Sequence, residues 1–162
     1  FAVIDDLHRH RNALPKGRLY IHVAKKWTKT YDRTSNYLSP NSFRQVLLDS
    51  VFTIVPPGHN YETFRFWESV ECGSIPVVVS GHQERCGTFG TPYIRSVDGI
   101  ECPVVLLGEN QTAGAFLRSV RNDAEFWEIR QKQLLRWYTA FKNEIYSGVL
   151  TKLMTTPVQR PT

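Results

Sequence analysis

Two apolar runs constrain the fold more than anything else in the chain: Val51-Phe52-Thr53-Ile54-Val55 and Ile75-Pro76-Val77-Val78-Val79. Runs without polar alternation suit parallel strands, whose two faces are both covered. Parallel neighbours need a crossover between them. The intervening residues supply one, because Pro56, Pro57 and Gly58 break the first run and Phe64, Trp67 and Val70 then recur at helical spacing. That period predicts a helix over residues 62–72 stopped by Gly73. A third run, Val104-Val105-Leu106-Leu107, and a helix over 113–120 repeat the alternation.

The remaining segments fit around this unit. Leu19-Tyr20-Ile21-His22-Val23 has strand composition, and residues 25–40 are polar and read as a loop. Phe43, Val46 and Leu47 predict a helix after Pro40 with Ser42 as its cap. Trp127, Leu134, Tyr138, Phe141 and Ile145 predict a long amphipathic helix over 123–146, its aromatics, Trp137 included, at core spacing. The expected fold class is α/β, a Rossmann-like parallel sheet with flanking helices. Residues 1–18 are expected to form a connecting segment, 19–150 the domain and 151–162 a tail.

The chain has 162 residues, 41% hydrophobic and 22% charged, a size and balance that suit one domain. Its net charge of +5 at pH 7 favours an anionic partner such as phosphate. The basic residues are scattered, which argues against nucleic acid as the partner. No apolar run approaches the roughly 18 residues of a membrane span. The chain begins at Phe1 and its single Met is Met154, as expected of a trimmed or processed product. Cys72, Cys86 and Cys102 lack the spacing of a zinc site. A bridge between Cys86 and Cys102 and a set of isolated thiols are both open. Asn110-Gln111-Thr112 is a glycosylation acceptor if the chain enters the secretory path.

In open parallel sheets ligands bind beyond the carboxyl ends of the strands, so the segment after Val55 is the first place for chemistry. A helix starting near Tyr61 or Glu62 presents unpaired N–H groups and a positive dipole end there, a seat for a diphosphate. Thr63 adds a hydroxyl and Arg65 a charged fork. Glu68 lies one helical turn after Arg65, where a carboxylate can accept from both hydroxyls of a ribose. The same spacing also makes an ordinary surface ion pair worth ~0.2–0.5 kcal/mol, and spacing alone leaves the two readings even. Gly58, Asn60, Lys25 and Lys26 complete the expected diphosphate set, with His59 and Glu62 as sugar contacts. Each has an ordinary alternative: Asn60 as a turn residue, Glu62 as a first-turn carboxylate, Lys25 and Lys26 as a solvated pair. His59 and His82 are isolated loop histidines.

No Gly-x-Gly-x-x-Gly, Walker or His-Glu-x-x-His motif occurs. An Asp-x-Asp, which holds a divalent ion between donor phosphates in many sugar transferases, is also missing. No metal site and no cofactor are therefore expected, and diphosphate binding should be independent of metal.

The order Pro56-Pro57-Gly58-His59-Asn60-Tyr61-Glu62-Thr63-Phe64-Arg65-Phe66-Trp67-Glu68, followed by Gly73-Ser74-Ile75-Pro76-Val77-Val78, resembles the donor-binding half of the exostosin-like (family 47) glycosyltransferases. Cys86-Gly87 and the stretch Leu135-Arg136-Trp137-Tyr138-Thr139-Ala140-Phe141-Lys142-Asn143-Glu144 extend the likeness toward the branch that transfers xylose to ribitol phosphate. It runs from about Tyr20 onward, and residues 57–78 carry its specificity. Where heparan-type members commonly have Gly-Ser, this chain has Glu62-Thr63, which favours the ribitol branch over heparan polymerisation. Residues 88–101 have no clear counterpart.

The resemblance implies a GT-B enzyme in which this chain is the carboxyl-terminal half and a missing amino-terminal domain completes the cleft. The last helix would pack back toward that domain. Arg65, Thr63 and the helix start would hold the diphosphate of a UDP-sugar, UDP-xylose in this branch, and Glu68 its ribose. The sugar would pass with inversion to a glycan or ribitol-phosphate acceptor in the Golgi lumen, behind a type II membrane anchor outside this chain. A non-catalytic nucleotide-sugar or carbohydrate-binding module of the same fold is the competing expectation.

Overall fold

The computed structural model describes residues 5–7, 9, 19–21, 38–56, 63–79, 94–108, 110–120 and 123–155. Its elements in chain order are α1 (Pro40–Leu48), β1 (Phe52–Val55), α2 (Phe64–Glu71), β2 (Ile75–Val79), β3 (Val105–Leu107), α3 (Ala113–Ser119) and α4 (Ala124–Thr155). The three strands form one parallel sheet in the order β1-β2-β3. Phe52 stands opposite Ile75 and Val55 opposite Val78, while Val77 stands opposite Val105. The apolar runs thus pair with each other.

Successive strand residues point to opposite faces, and the neighbours Val77 and Val78 belong to different apolar clusters. Val78 joins Val55, Phe66, Val70, Leu134, Trp137 and Phe141, so α2 and α4 cover that side. Val77 joins Leu7, Leu107 and Ala113, with Leu19 and Ile21 packed against them. Asp6 is buried beside Leu7, and its Oδ2 accepts from the N–H of Gly114 at 2.8 Å. Residues 19–21 are not in a strand, contrary to their composition; Leu19 and Ile21 serve as covering side chains, and residues 22–23 lie outside the described residues.

Three helix ends differ from expectation for local reasons. Ser39, not Ser42, caps α1, accepting from the Ser42 N–H at 3.1 Å. Pro40 lacks an N–H and has φ fixed for the first helical position, which moves the cap one residue before it. Helix α2 starts at Phe64 with Thr63 as its N-cap, later than Tyr61 or Glu62. Helix α4 passes Ser147 and Gly148 and runs 32 residues to Thr155, since one glycine costs only about 1 kcal/mol in a helix.

The predicted face of α2 is also rotated. Phe66, Ser69 and Val70 are buried, Trp67 is half-buried and Phe64 is 89% exposed. At 3.6 residues per turn Phe64 lies about 160° from Phe66, on the solvent side.

Gly73 ends α2 as expected. At φ 75° it lets its own N–H reach Val70 O at 3.0 Å and the Ser74 N–H reach Ser69 O at 2.9 Å, the paired bonds of a Schellman ending. A Cβ at Gly73 would stand 3.4 Å from Leu135 Cδ2 in a backbone conformation that L-residues avoid. Gly73→Ala is expected to destabilise the fold by about 1–2 kcal/mol. Denaturant unfolding measures this, and an unchanged midpoint would contradict it.

Helix α4 is fastened at several levels. The Gln131 side chain donates to Gly73 O at 2.9 Å, Gln133 to Glu101 O at 2.9 Å and Trp137 Nε1 to Arg95 O at 2.8 Å. Trp67, Phe141 and Trp137 stack with ring centroids 5.2 and 5.1 Å apart, which makes this aromatic group core. Ile145, expected on the packed face, is exposed with everything after Phe141.

Candidate functional site at the start of helix α2

The carboxyl ends of β1 and β3 lead to two helix starts that are finished differently. At α3, Thr112 Oγ1 accepts from the Ala115 N–H at 3.1 Å and Asp6 takes the Gly114 N–H, so the chain closes this end with its own oxygens. At α2, Thr63 makes no capping bond through its side chain. Its Oγ1 is buried and has no hydrogen-bond partner among the described residues. Buried hydroxyls are ordinarily satisfied, so this oxygen marks the α2 start as a place where a polar group is called for.

Arg65 occupies the second position of α2. Its Cζ lies 4.1 Å from the centroid of the Phe43 ring in α1, and its Nη1 lies 3.5 Å from Glu68 Oε2. The Arg65 and Glu68 side chains are 42% and 46% exposed. The ion pair foreseen from the spacing therefore forms. At 3.5 Å it is longer than the roughly 2.7–2.9 Å of a strong charge-assisted bond, and exposed pairs contribute only about 0–1 kcal/mol. Both side chains stay nearly half exposed, so the pair and a ligand role are compatible.

Thr63, Arg65 and Glu68 thus share the first turns of one helix, at the carboxyl edge of the sheet. Gly58, His59, Asn60, Glu62, Lys25, Lys26 and His82 lie outside the described residues. Phe43 beside Arg65 has no signature in the sequence beyond its helical spacing with Val46 and Leu47. The fully exposed side of Phe64, next to Arg65, was read as core.

The cysteines take no part in this arrangement. Cys72 and Cys102 are free thiols, and Cys86 lies outside the described residues. Burial pushes the Cys102 thiol up to about 12. Burial also raises Cys72, against an opposing pull from Arg44. Both stay protonated near neutral pH and are poor nucleophiles. Among the described residues no group of three or more His, Cys, Asp or Glu side chains converges.

Comparison with known proteins places this geometry in context. The sequence family described as the RXYLT1 C-terminal domain matches residues 8–156. Ribitol-5-phosphate xylosyltransferase 1 of Mus musculus is 30% identical over 112 residues, covering 66% of this chain and 25% of that protein. The protein of the same description from Homo sapiens is 30% identical over 122 residues with the same coverage. That from Danio rerio is 27% identical over 139 residues, covering 77% of this chain and 28% of its own length. The chain thus spans about a quarter of the length of the curated relatives it matches. No solved structure matches it significantly.

Proposed function

We propose that this chain, which belongs to the RXYLT1 C-terminal domain family, is the donor-binding half of an inverting glycosyltransferase. The donor is a UDP-sugar, and likeness to the ribitol-5-phosphate xylosyltransferases favours UDP-xylose and an acceptor such as ribitol phosphate in a glycan. The observation that carries this reading is the α2 start, where an unpartnered buried hydroxyl and a half-exposed arginine meet the positive end of a helix dipole.

In this reading the diphosphate rests against the α2 start, with Thr63 and Arg65 donating to its oxygens. Gly58, Asn60, Lys25 and Lys26 complete the diphosphate set in this proposal, and His59 and Glu62 are its sugar contacts. Glu68, about 4.5 Å further along the helix axis, accepts from the ribose hydroxyls. A general base removes the proton of the acceptor hydroxyl. The acceptor oxygen then bonds to the anomeric carbon from the face opposite the nucleotide, as the bond from that carbon to the diphosphate oxygen breaks. UDP leaves with the electron pair, and Arg65 and the helix dipole stabilise the charge that grows on it. No metal is required for this, and the cluster acts as a metal-independent diphosphate site.

The unit, residues 19–150 with flanking segments 1–18 and 151–162, is the carboxyl-terminal half of a GT-B pair. The second half of α4 supports an additional domain. Ile145, Tyr146, Val149, Leu150, Leu153 and Met154 are 47–84% exposed along it, more apolar surface than a solvated helix end ordinarily shows. The amino-terminal domain of the full-length protein covers this stripe and faces the α2 start across the cleft. Among the described residues no helix is long and apolar enough to cross a membrane. The proposed setting is the Golgi lumen, with a type II anchor elsewhere in the polypeptide.

The test is transfer by the full-length protein from UDP-xylose, UDP-glucose or GDP-mannose to a ribitol-phosphate glycan, with the anomer of the product read by NMR. Transfer of xylose with inversion is expected. UDP binding without transfer or hydrolysis would leave only a binding module, and failure to bind UDP would remove the donor assignment.

A further inference from the structure

We infer that Phe43 is a positioning residue for Arg65, a stacking platform that presents the guanidinium to an anionic ligand before the ligand arrives. The inference rests on the reading of Arg65 as a diphosphate ligand. The two residues belong to different helices, separated in sequence by β1. They are brought together by packing: Leu47 is only 4% exposed and seats α1, while Phe66 and Val70 are fully buried and seat α2. With both helices held, the guanidinium carbon stands 4.1 Å from the Phe43 ring centroid.

At this distance the guanidinium carbon lies over the ring in cation–π contact. An arginine stacked on an aromatic ring keeps its N–H donors radiating in the plane, so it can still grip two phosphate oxygens side by side. Glu68 engages one edge through Nη1 at 3.5 Å. Arg65 follows the N-cap by two residues, and the hydroxyl of that cap, Thr63, has no partner among the described residues. Stacking also restricts the rotamers of a long side chain in the free protein, so less freedom is lost when the ligand binds. A lysine at position 65 lacks the planar fork and could not grip two oxygens side by side.

The test is calorimetric titration of UDP into the full-length protein carrying single and paired substitutions. Phe43→Leu keeps apolar volume but removes the ring quadrupole and should weaken UDP about 3- to 10-fold, from the usual strength of cation–π contacts. Phe43→Trp should retain the affinity of the native protein. In an Arg65→Ala background Phe43→Leu should cost nothing further, since the group it positions is gone. A full Phe43→Leu loss in that background, or wild-type affinity for Phe43→Leu while Arg65→Ala is impaired, overturns the positioning role alone. Unchanged UDP affinity for Arg65→Ala overturns the donor-site reading and the positioning role with it. Thermal unfolding of each variant, together with the Phe43→Trp rescue, separates a lost platform from a damaged helix pair.

Discussion

Substituting Arg65 by alanine is expected to weaken UDP binding by about 2–3 kcal/mol, roughly 30- to 150-fold, with little change in stability. The affinity loss follows from removing charge-assisted bonds to the diphosphate. The small effect on stability follows from what Arg65 does without ligand: it makes a half-exposed ion pair with Glu68 and stacks on Phe43, both modest contributions. Arg65→Lys should fall between the two, since it keeps the charge and loses the fork. Calorimetry on the full-length protein reads the affinity and denaturant unfolding the stability. An Arg65→Ala protein that binds UDP as tightly as the native one would contradict the donor assignment. A large stability loss without an affinity loss would make Arg65 a structural residue.

The second large effect is expected in the core. Trp137 is fully buried, stacks on Phe141 at 5.1 Å and donates Nε1–H to Arg95 O at 2.8 Å. Trp137→Ala should cost about 3–5 kcal/mol through the lost burial and the cavity left behind, a large part of a typical domain's stability of about 5–15 kcal/mol. Trp137→Phe keeps a ring in the stack and loses the hydrogen bond, so it should cost less. Comparing the two by urea unfolding separates packing from the bond to residue 95. A Trp137→Ala midpoint close to that of the native protein would mean that α4 does not hold the sheet as described.

The Arg95 end of this contact is tied to α4 a second time. Arg95 also pairs with Glu144, and this hydrogen bond holds the Glu144 carboxyl below its usual range and raises the arginine. Residues 94–97 are thereby tied to α4 near the point where the helix leaves the core.

The strands were legible because β-branched residues in unbroken runs have few other places to go than the middle of a parallel sheet. Gly73 was legible for a similar reason: the left-handed conformation at that helix end admits little else. Helix starts were read less well. Asn60 and Glu62 have the composition of a helix entry, yet Thr63 takes the cap, and only the three-dimensional course of the chain distinguishes them. The aromatic at position 64 was assigned to the core by spacing from Trp67 and Val70, whereas Phe66 and Ser69 set the buried face. In the site, the separation of Arg65 and Glu68 was visible because it is local to one helix. The Phe43 platform was not, because a contact between two helices on either side of a strand has no signature in residue spacing. The end of α4 differs from the expectation for a related reason: Ile145 keeps the face of Phe141, but the helix runs on past the sheet and everything after Phe141 is exposed.

The most direct measurement is calorimetric titration of UDP, ADP and GDP into the full-length protein in the presence of a metal chelator. Selective, saturable binding of UDP that Arg65→Ala removes is the expected result. Equal affinity for the three nucleotides, or no binding of UDP by a folded and otherwise intact protein, would contradict it.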